Sequence, residues 1–281
     1  MDDLLIHHLR GLPAFRALLR AVEARFYADL PIPRPILDLG CGDGHFGWVA
    51  LGDVEAGFDP WWQPLTEARD RGGYQVLVQA SGASMPYPDG HFATVVSNSV
   101  LEHIPDLPPV LEETARVLQP GGHFYFCVPG PSFGRFLSVS RGFDRMGLHG
   151  AARAYRRFFN RISRHYHCDG VGVWQKRLEA SGLALTGSWA YFSRRALTAL
   201  EWGHYLGLPS LVAKKLTGRW VLWRARANLW PTERLTRPLY DEPLSRPPTG
   251  RDGSEKDPDA EGAYLFFAAR KPEMVERTTQ A

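Results

Sequence analysis

Nine residues near the start constrain the fold more than any others: Ile36-Leu37-Asp38-Leu39-Gly40-Cys41-Gly42-Asp43-Gly44. A short apolar run carries an acidic residue and then glycines at alternate positions. Such a run reads as a buried strand, and glycines at 40, 42 and 44 let the chain turn sharply at its end and bring bare backbone close to a ligand. Asp38 stands at the strand end, placed to accept from a polar or cationic group. The glycine spacing alone also fits a dinucleotide-binding turn.

Downstream residues separate these readings. Val54 to Phe58 is a second apolar stretch, and it ends in Asp59. A carboxylate about 20 residues beyond such a loop can accept from both hydroxyls of a ribose. Then follow Met85-Pro86-Tyr87-Pro88-Asp89, Val95-Val96-Ser97-Asn98-Ser99-Val100-Leu101-Glu102-His103 and Leu118-Gln119-Pro120-Gly121-Gly122-His123-Phe124-Tyr125. In this order the motifs resemble the class I S-adenosylmethionine-dependent methyltransferases of the type 11-like, small-molecule branch, which includes quinone-pathway, sterol and sugar methyltransferases. The resemblance covers about residues 34–130. It implies an α/β, Rossmann-like, seven-stranded methyltransferase sheet, mostly parallel with an antiparallel last strand, carrying a helical cap and a long insertion before that strand.

The resemblance also implies S-adenosylmethionine as cofactor and assigns its contacts. Gly40, Cys41, Gly42 and Gly44 pass the methionine part, with Asp38 near the amino group. Asp59 holds the ribose diol, and Pro60 and Trp61 lie against adenine, which leaves Trp62 for the core. Ser81 stands where relatives often carry an acid for the adenine amino group, so adenine recognition shifts toward the backbone of Gly82 and Ala83. Ala93 is a second departure, at a position where many relatives have Asp. Asn98 and Ser99 close the fourth strand and flank the sulfonium.

His103, in its Leu-Glu-His-Ile context, is a candidate general base or positioning group, since imidazole titrates near neutral pH. His165 and His167, in the segment that caps the site in relatives, are candidate bases or substrate contacts, with ordinary loop packing as the alternative for each. No metal is expected, because no cysteine pair or carboxylate spacing supports His165 and His167 as ligands.

The 281 residues, 44% hydrophobic, suffice for one α/β domain with additions. An N-terminal helix occupies 1–34 and the cofactor core 35–130. A helical cap and substrate region spans 131–182, and a core strand lies in 183–195. An apolar helical insertion follows over 196–230, then a mobile Pro/Gly/acidic loop over 231–262, and the last core strand and tail over 263–281. Strands are expected near 36–39, 54–58, 74–78, 92–97, 122–128, 183–191 and 263–269.

Charge is unevenly spread. Residues 131–230 hold 17 Lys and Arg against 4 Asp and Glu, while the remainder holds 16 against 26. Within that basic segment Tyr155, Phe158, Phe159, Ile162 and Tyr166 share a helical stripe, with Arg153, Arg156, Arg157, Arg161 and Arg164 opposite. Residues 196–230 interleave Trp202, Trp220, Trp223 and Trp230 with Lys214, Lys215, Arg219, Arg224 and Arg226, a pairing typical of interfacial segments. Together they suggest contact with an anionic membrane surface through 151–166 and 196–230, and a small-molecule or lipid-linked acceptor; a packed lid over a cytosolic substrate is the alternative. Three cysteines without metal spacing fit a reducing cytoplasm, with peripheral placement at the inner face of the membrane. No secretory signal and no apolar run of membrane-spanning length stands out. Nucleic-acid methylation is disfavoured because the fourth strand ends Ser97-Asn98-Ser99-Val100, not in the Asn-Pro-Pro-aromatic type of base methylators. A non-catalytic docking protein on the same fold is the remaining alternative.

Overall fold

The computed structural model of the chain describes residues 3–206, 212, 216, 229–248 and 261–273. Its strands fall where apolar runs predict them: β1 (Ile36–Leu39), β2 (Val54–Asp59), β3 (Tyr74–Gln79), β4 (Phe92–Asn98), β5 (Leu118–Pro129), β6 (Ala184–Tyr191) and β7 (Tyr264–Arg270). They form one sheet in the order β3-β2-β1-β4-β5-β7-β6. The first five are parallel, and β7 runs antiparallel to both β5 and β6. Strand order reverses between β1 and β4, which opens a crevice beyond their carboxyl ends.

Alternate residues of each strand serve opposite faces of the sheet. Val95, Phe124, Phe126 and Phe267 enter one core, and Val96, Tyr125, Cys127 and Phe266 the other. Both faces are covered by helices, so the central strands read as continuous apolar runs. The first core takes Val110 and Leu111 of α5 (Pro108–Val117) and Trp174 and Leu178 of α9 (Val171–Ala180). The second takes the N-terminal helices together with α10 (Arg194–Leu206).

The N-terminal helix is two. α1 (Leu4–Gly11) and α2 (Ala14–Tyr27) are separated at Leu12 and Pro13. Pro13 holds Leu12 in an extended conformation that a helix cannot continue through. α2 buries Ala17, Leu18, Ala21, Val22 and Phe26 against the sheet. At roughly 1.5–3 kcal/mol for each large apolar side chain, this contact anchors the helix over the crevice.

Two expectations about the additions change. The loop expected over 231–262 begins as a helix, α11 (Leu229–Tyr240), which packs on α1 and α2. Arg25 stacks on the Tyr240 ring at 3.5 Å and donates to the Tyr240 and Ser245 carbonyls, while Arg237 pairs with Asp3 at 2.5 Å. Pro231 sits in the first helical turn, where a missing amide is harmless, so proline content did not preclude a helix. Residues 249–260, and the Trp-rich stretch 217–228, lie outside the described residues.

The amphipathic stripe also divides. α8 (His149–Ser163) buries Ala152 and Phe159 and half-buries Tyr155, but Phe158 and Ile162 stay exposed at 50% and 48%. Tyr166 is exposed too, and Arg156 folds back to Asp144 of α7 (Ser138–Arg145). Residues 152, 155 and 159 share a strip too narrow to carry the whole aromatic set inward. No helix among the described residues is long and apolar enough to cross a membrane.

Candidate active site

The glycine loop leaves β1 and enters α3 (His45–Ala50), as its spacing requires. Gly40 and Gly42 have φ of 75° and 55°. A Cβ on Gly40 would lie 2.5 Å from a Val100 methyl, whereas one on Gly42 would meet nothing within 4 Å; the first glycine permits packing and the second leaves open space for a ligand. The amides of Gly40 and Cys41 donate to the Phe58 carbonyl at 2.9 and 3.0 Å, which ties the loop to β2. Gly44 is different from the expectation. It is buried against Ala68 and Tyr74 and caps α3, so it shapes the turn without lining the cavity.

Asp38 accepts from the Tyr74 hydroxyl at 2.5 Å. Burial raises its carboxyl to about 6, against the lowering effect of that hydrogen bond. Tyr74 reaches it across a notch of small residues: a Cβ on Gly57 would stand 2.7 Å from its ring, and one on Gly47 would overlap its hydroxyl. The sequence motif exposes Asp38 but not its partner on β3.

Asp59 ends β2 with one carboxylate oxygen on the Gly42 amide at 3.1 Å and the other on the Trp61 amide at 2.9 Å. Burial raises its pKa. Each oxygen keeps a lone pair for a further donor. Pro60 and Trp61 line the same cavity, with Trp61 64% exposed. Trp62, expected in the core, is 60% exposed at the start of α4 (Trp62–Arg71). Ser81, Gly82 and Ala83 lie opposite, where the Ala83 amide donates to the Ser81 hydroxyl at 3.2 Å.

Asn98 and Ser99 close β4, and what holds them comes from outside the core. Glu23 of α2, fully buried, accepts from Asn98 Nδ2 at 2.8 Å, Ser99 Oγ at 3.3 Å, Tyr191 Oη at 2.7 Å and Arg20 at 2.6 Å. Arg20 also donates to Ser99 Oγ at 2.8 Å. Ser99 sits at φ 54°, a left-handed conformation fixed by these contacts. The only sequence signal for Glu23 is a charge on the apolar face of α2, beside Leu19, Val22 and Phe26.

His103 and His165 meet, and His167 does not join them. The first two rings stack at 5.6 Å between centroids. His103 Nδ1 donates to the Arg164 carbonyl at 3.1 Å, and His165 packs on Phe133. Burial lowers His103 and brings His165 down to about 3. Neighbouring Glu102, 1% exposed, is raised by burial to about 8. His167 instead hydrogen-bonds the Ile104 carbonyl at 2.9 Å and faces Asp169 and Arg177 within the cap. Among the described residues, those offering metal-ligand atoms together are thus Glu102, His103 and His165, a set the sequence did not bring together.

One cavity of about 1150 Å³ joins these parts. Asp38, Gly42, Asp59, Ser81 and Asn98 wall one end; Phe15, Phe133, Ile162, His165, His204 and Tyr264 wall the other. Its size exceeds the roughly 300–1,000 Å³ of a pocket for one ligand. Arg16 and Arg20, also missed in the sequence, stand on its α2 wall.

Residues 37–126, which carry the loop, Asp59 and the end of β4, match the methyltransferase domain family. The chain carries a methyltransferase domain. Relatives of this methyltransferase include an uncharacterized methyltransferase of Mycobacterium tuberculosis, 27% identical over 205 residues, covering 70% of this chain and 71% of that one. A malonyl-[acyl-carrier protein] O-methyltransferase of Legionella pneumophila is 37% identical over 106 residues, 35% of this chain and 37% of its own. Among solved structures, a SAM-dependent methyltransferase from Thermotoga maritima superposes with a TM-score of 0.55 at 14% identity, over 92% of this chain and 91% of that one. That likeness shows the methyltransferase fold.

Proposed function

We propose that this methyltransferase uses S-adenosylmethionine to methylate a small, largely apolar acceptor carrying a polar nucleophile, drawn from a lipid surface. The observation that carries the reading is the continuous cavity, polar and acidic at the glycine loop and aromatic at the far end. The residues fit the cofactor: Gly42 leaves open space, Asp59 retains acceptor capacity on both oxygens, and Trp61 offers an indole face. Bound there, S-adenosylmethionine would supply an electrophilic methyl carbon on a sulfonium leaving group. Asp38 would hold the cofactor's amino group, and Arg16, on the same cavity wall, would supply positive charge for its carboxylate. Asn98 and Ser99, fixed by Glu23, set the wall beside the reacting atoms. The chain's part is to align the two ligands and exclude water, since this displacement needs no acid for its leaving group.

The cavity rim supports a lipid-associated acceptor. Ile162 lines the cavity and is half exposed, and Met146, Leu148 and Phe158 are exposed nearby along the same cap. Arg153, Arg157 and Arg161 are exposed on the same helix, which carries no acidic residue. Apolar side chains among arginines match an anionic bilayer.

Calorimetric titration of S-adenosylhomocysteine tests the cofactor reading, with NAD as control. Binding to wild type and loss of at least about tenfold in Asp59→Ala is expected, because two charge-assisted bonds disappear; a folded protein that binds neither ligand overturns it. Sedimentation with phosphatidylserine vesicles tests the surface: recovery in the pellet at low salt, weakened in Phe158→Ser/Ile162→Ser, is expected, and recovery of wild type only in the supernatant refutes it.

A further inference from the structure

Glu102 and His103 form part of a single 3-10 turn after β4, Leu101–His103, and His165 follows α8. Far apart in sequence, they bring one ligand-type atom each to within 4.8 Å of one another on the cavity wall. The chain reverses at Arg164, which adopts the left-handed conformation at φ 55° and so aims its carbonyl at His103. We propose that Glu102, His103 and His165 form a binding site for one first-row divalent cation, which takes a phenol or enol hydroxyl of the acceptor as a further ligand.

Four observations support the site. Two imidazoles and one carboxylate are a donor set suited to such ions, leaving further positions open for substrate. His103 donates its Nδ1 proton to a backbone carbonyl, which fixes the tautomer with a free lone pair on Nε2; this is the outer hydrogen bond that metal-binding histidines usually make. His103 Nε2 lies 3.9 Å from Glu102 Oε1, so a small rotation of either side chain would let both reach one ion. Finally, Glu102 Oε2 and His165 Nδ1 are buried without a hydrogen-bond partner among the described residues. Buried polar atoms left unpaired are rare in folded proteins, and a bound ion would account for these two.

The site lies on the cavity wall beside Val100 and Ser99, between the cofactor end and the aromatic end. An ion there would orient the acceptor hydroxyl and acidify it, as bound divalent ions acidify water. The hydroxyl proton would leave to bulk water through the open side of the cavity. The oxygen lone pair would then form the new bond to the methyl carbon as the carbon–sulfur bond breaks. The acceptor class rests on the proposed methyl transfer; the cation site itself does not.

The test uses the full chain stripped with EDTA and titrated with Co²⁺ in the absence of acceptor. Wild type is expected to bind one equivalent, to develop a visible ligand-field absorption, and to release the ion to Zn²⁺. His103→Ala, altered at a partly exposed residue, and Glu102→Gln should each weaken binding by at least about tenfold. Absence of the absorption in wild type overturns the site, as does its persistence in His103→Ala and His165→Ala, which would place the ion on other histidines. Catechol as a probe should shift the absorption, and an unmoved spectrum overturns the role in acceptor binding. Titration with S-adenosylhomocysteine on the same samples shows that each variant is folded and separates failure of the cation site from failure of the methyltransferase reading.

Discussion

Glu23 and Asn98 meet at 2.8 Å across 75 positions of sequence, which makes the second helix a structural part of the cavity wall at the end of β4. The carboxylate is fully buried and serves four donors, so it fixes the end of β4 and neutralises Arg20 at once. Glu23→Leu should lower stability by about 3–5 kcal/mol, since Arg20 would be left without its counter-charge in a buried setting. Glu23→Gln should lower it less and still weaken S-adenosylhomocysteine binding. Urea denaturation and calorimetry on both variants check the pair; unchanged binding in Glu23→Gln would show that Asn98 holds its place unaided.

Asp38 makes stability and cofactor binding respond to pH in opposite directions. Its carboxyl stands at about 6 in the fold against 3.8 for the free side chain. Between those values the folded chain retains a proton that the unfolded chain has lost. Stability therefore falls as pH rises from about 4 to about 6 and then levels, by an amount on the order of 3 kcal/mol. A cofactor amino group pairs with the ionised form, so affinity should rise over the approach to pH 6. Melting temperatures with and without S-adenosylhomocysteine from pH 4 to 8 read both trends, and Asp38→Asn should flatten them.

Tyr74 and the glycines around it form a second test of the site's rigidity. Gly47→Ala places a methyl group on the Tyr74 hydroxyl and within 2.8 Å of Asp38, so the ring must move. A loss of about 1–3 kcal/mol is expected from such overpacking. Tyr74→Phe removes only the donor to Asp38, and should raise the Asp38 pKa further and move the binding profile to higher pH. A profile that stays in place would mean the hydroxyl has no hold on the carboxylate.

The α11 helix is expected to stabilise the fold although it is remote from the chemistry. Tyr240→Ala removes a buried ring stacked on Arg25 and should cost about 2–4 kcal/mol, with S-adenosylhomocysteine affinity nearly unchanged. Equal loss of stability and affinity would instead link this helix to the cavity.

The strands were legible because their apolar runs end at Asp38, Asp59 and Asn98, where the turn chemistry changes abruptly. The turn of the glycine loop was legible for the same reason, as its glycines carry the conformation in their identity. Glu23, Arg16 and Arg20 were not, since a polar residue in a helix gives no sign of which strand end it will face. His165 could be named as a candidate but its pairing with His103 depends on the reversal at Arg164, a non-glycine residue with no turn signature. His167 was given equal standing because two residues of separation says nothing about which side of an irregular segment faces inward. α11 was hidden by Pro231 and Pro238, which read as loop residues until the first turn and the helix end are located.

The position of β7 between β5 and β6 has a consequence for how the chain reaches this state. β5 emerges from the ribosome long before its neighbour, because α8, α9, β6 and the insertion are all synthesised in between. During that interval its edge, along Phe124 to Val128, has open backbone groups that β7 will later pair. Such a topology makes the last strand a folding checkpoint: chains stalled or cleaved within the insertion would present a ready template for intermolecular pairing, and would be expected to engage chaperones or aggregate well before any enzymatic defect could be measured.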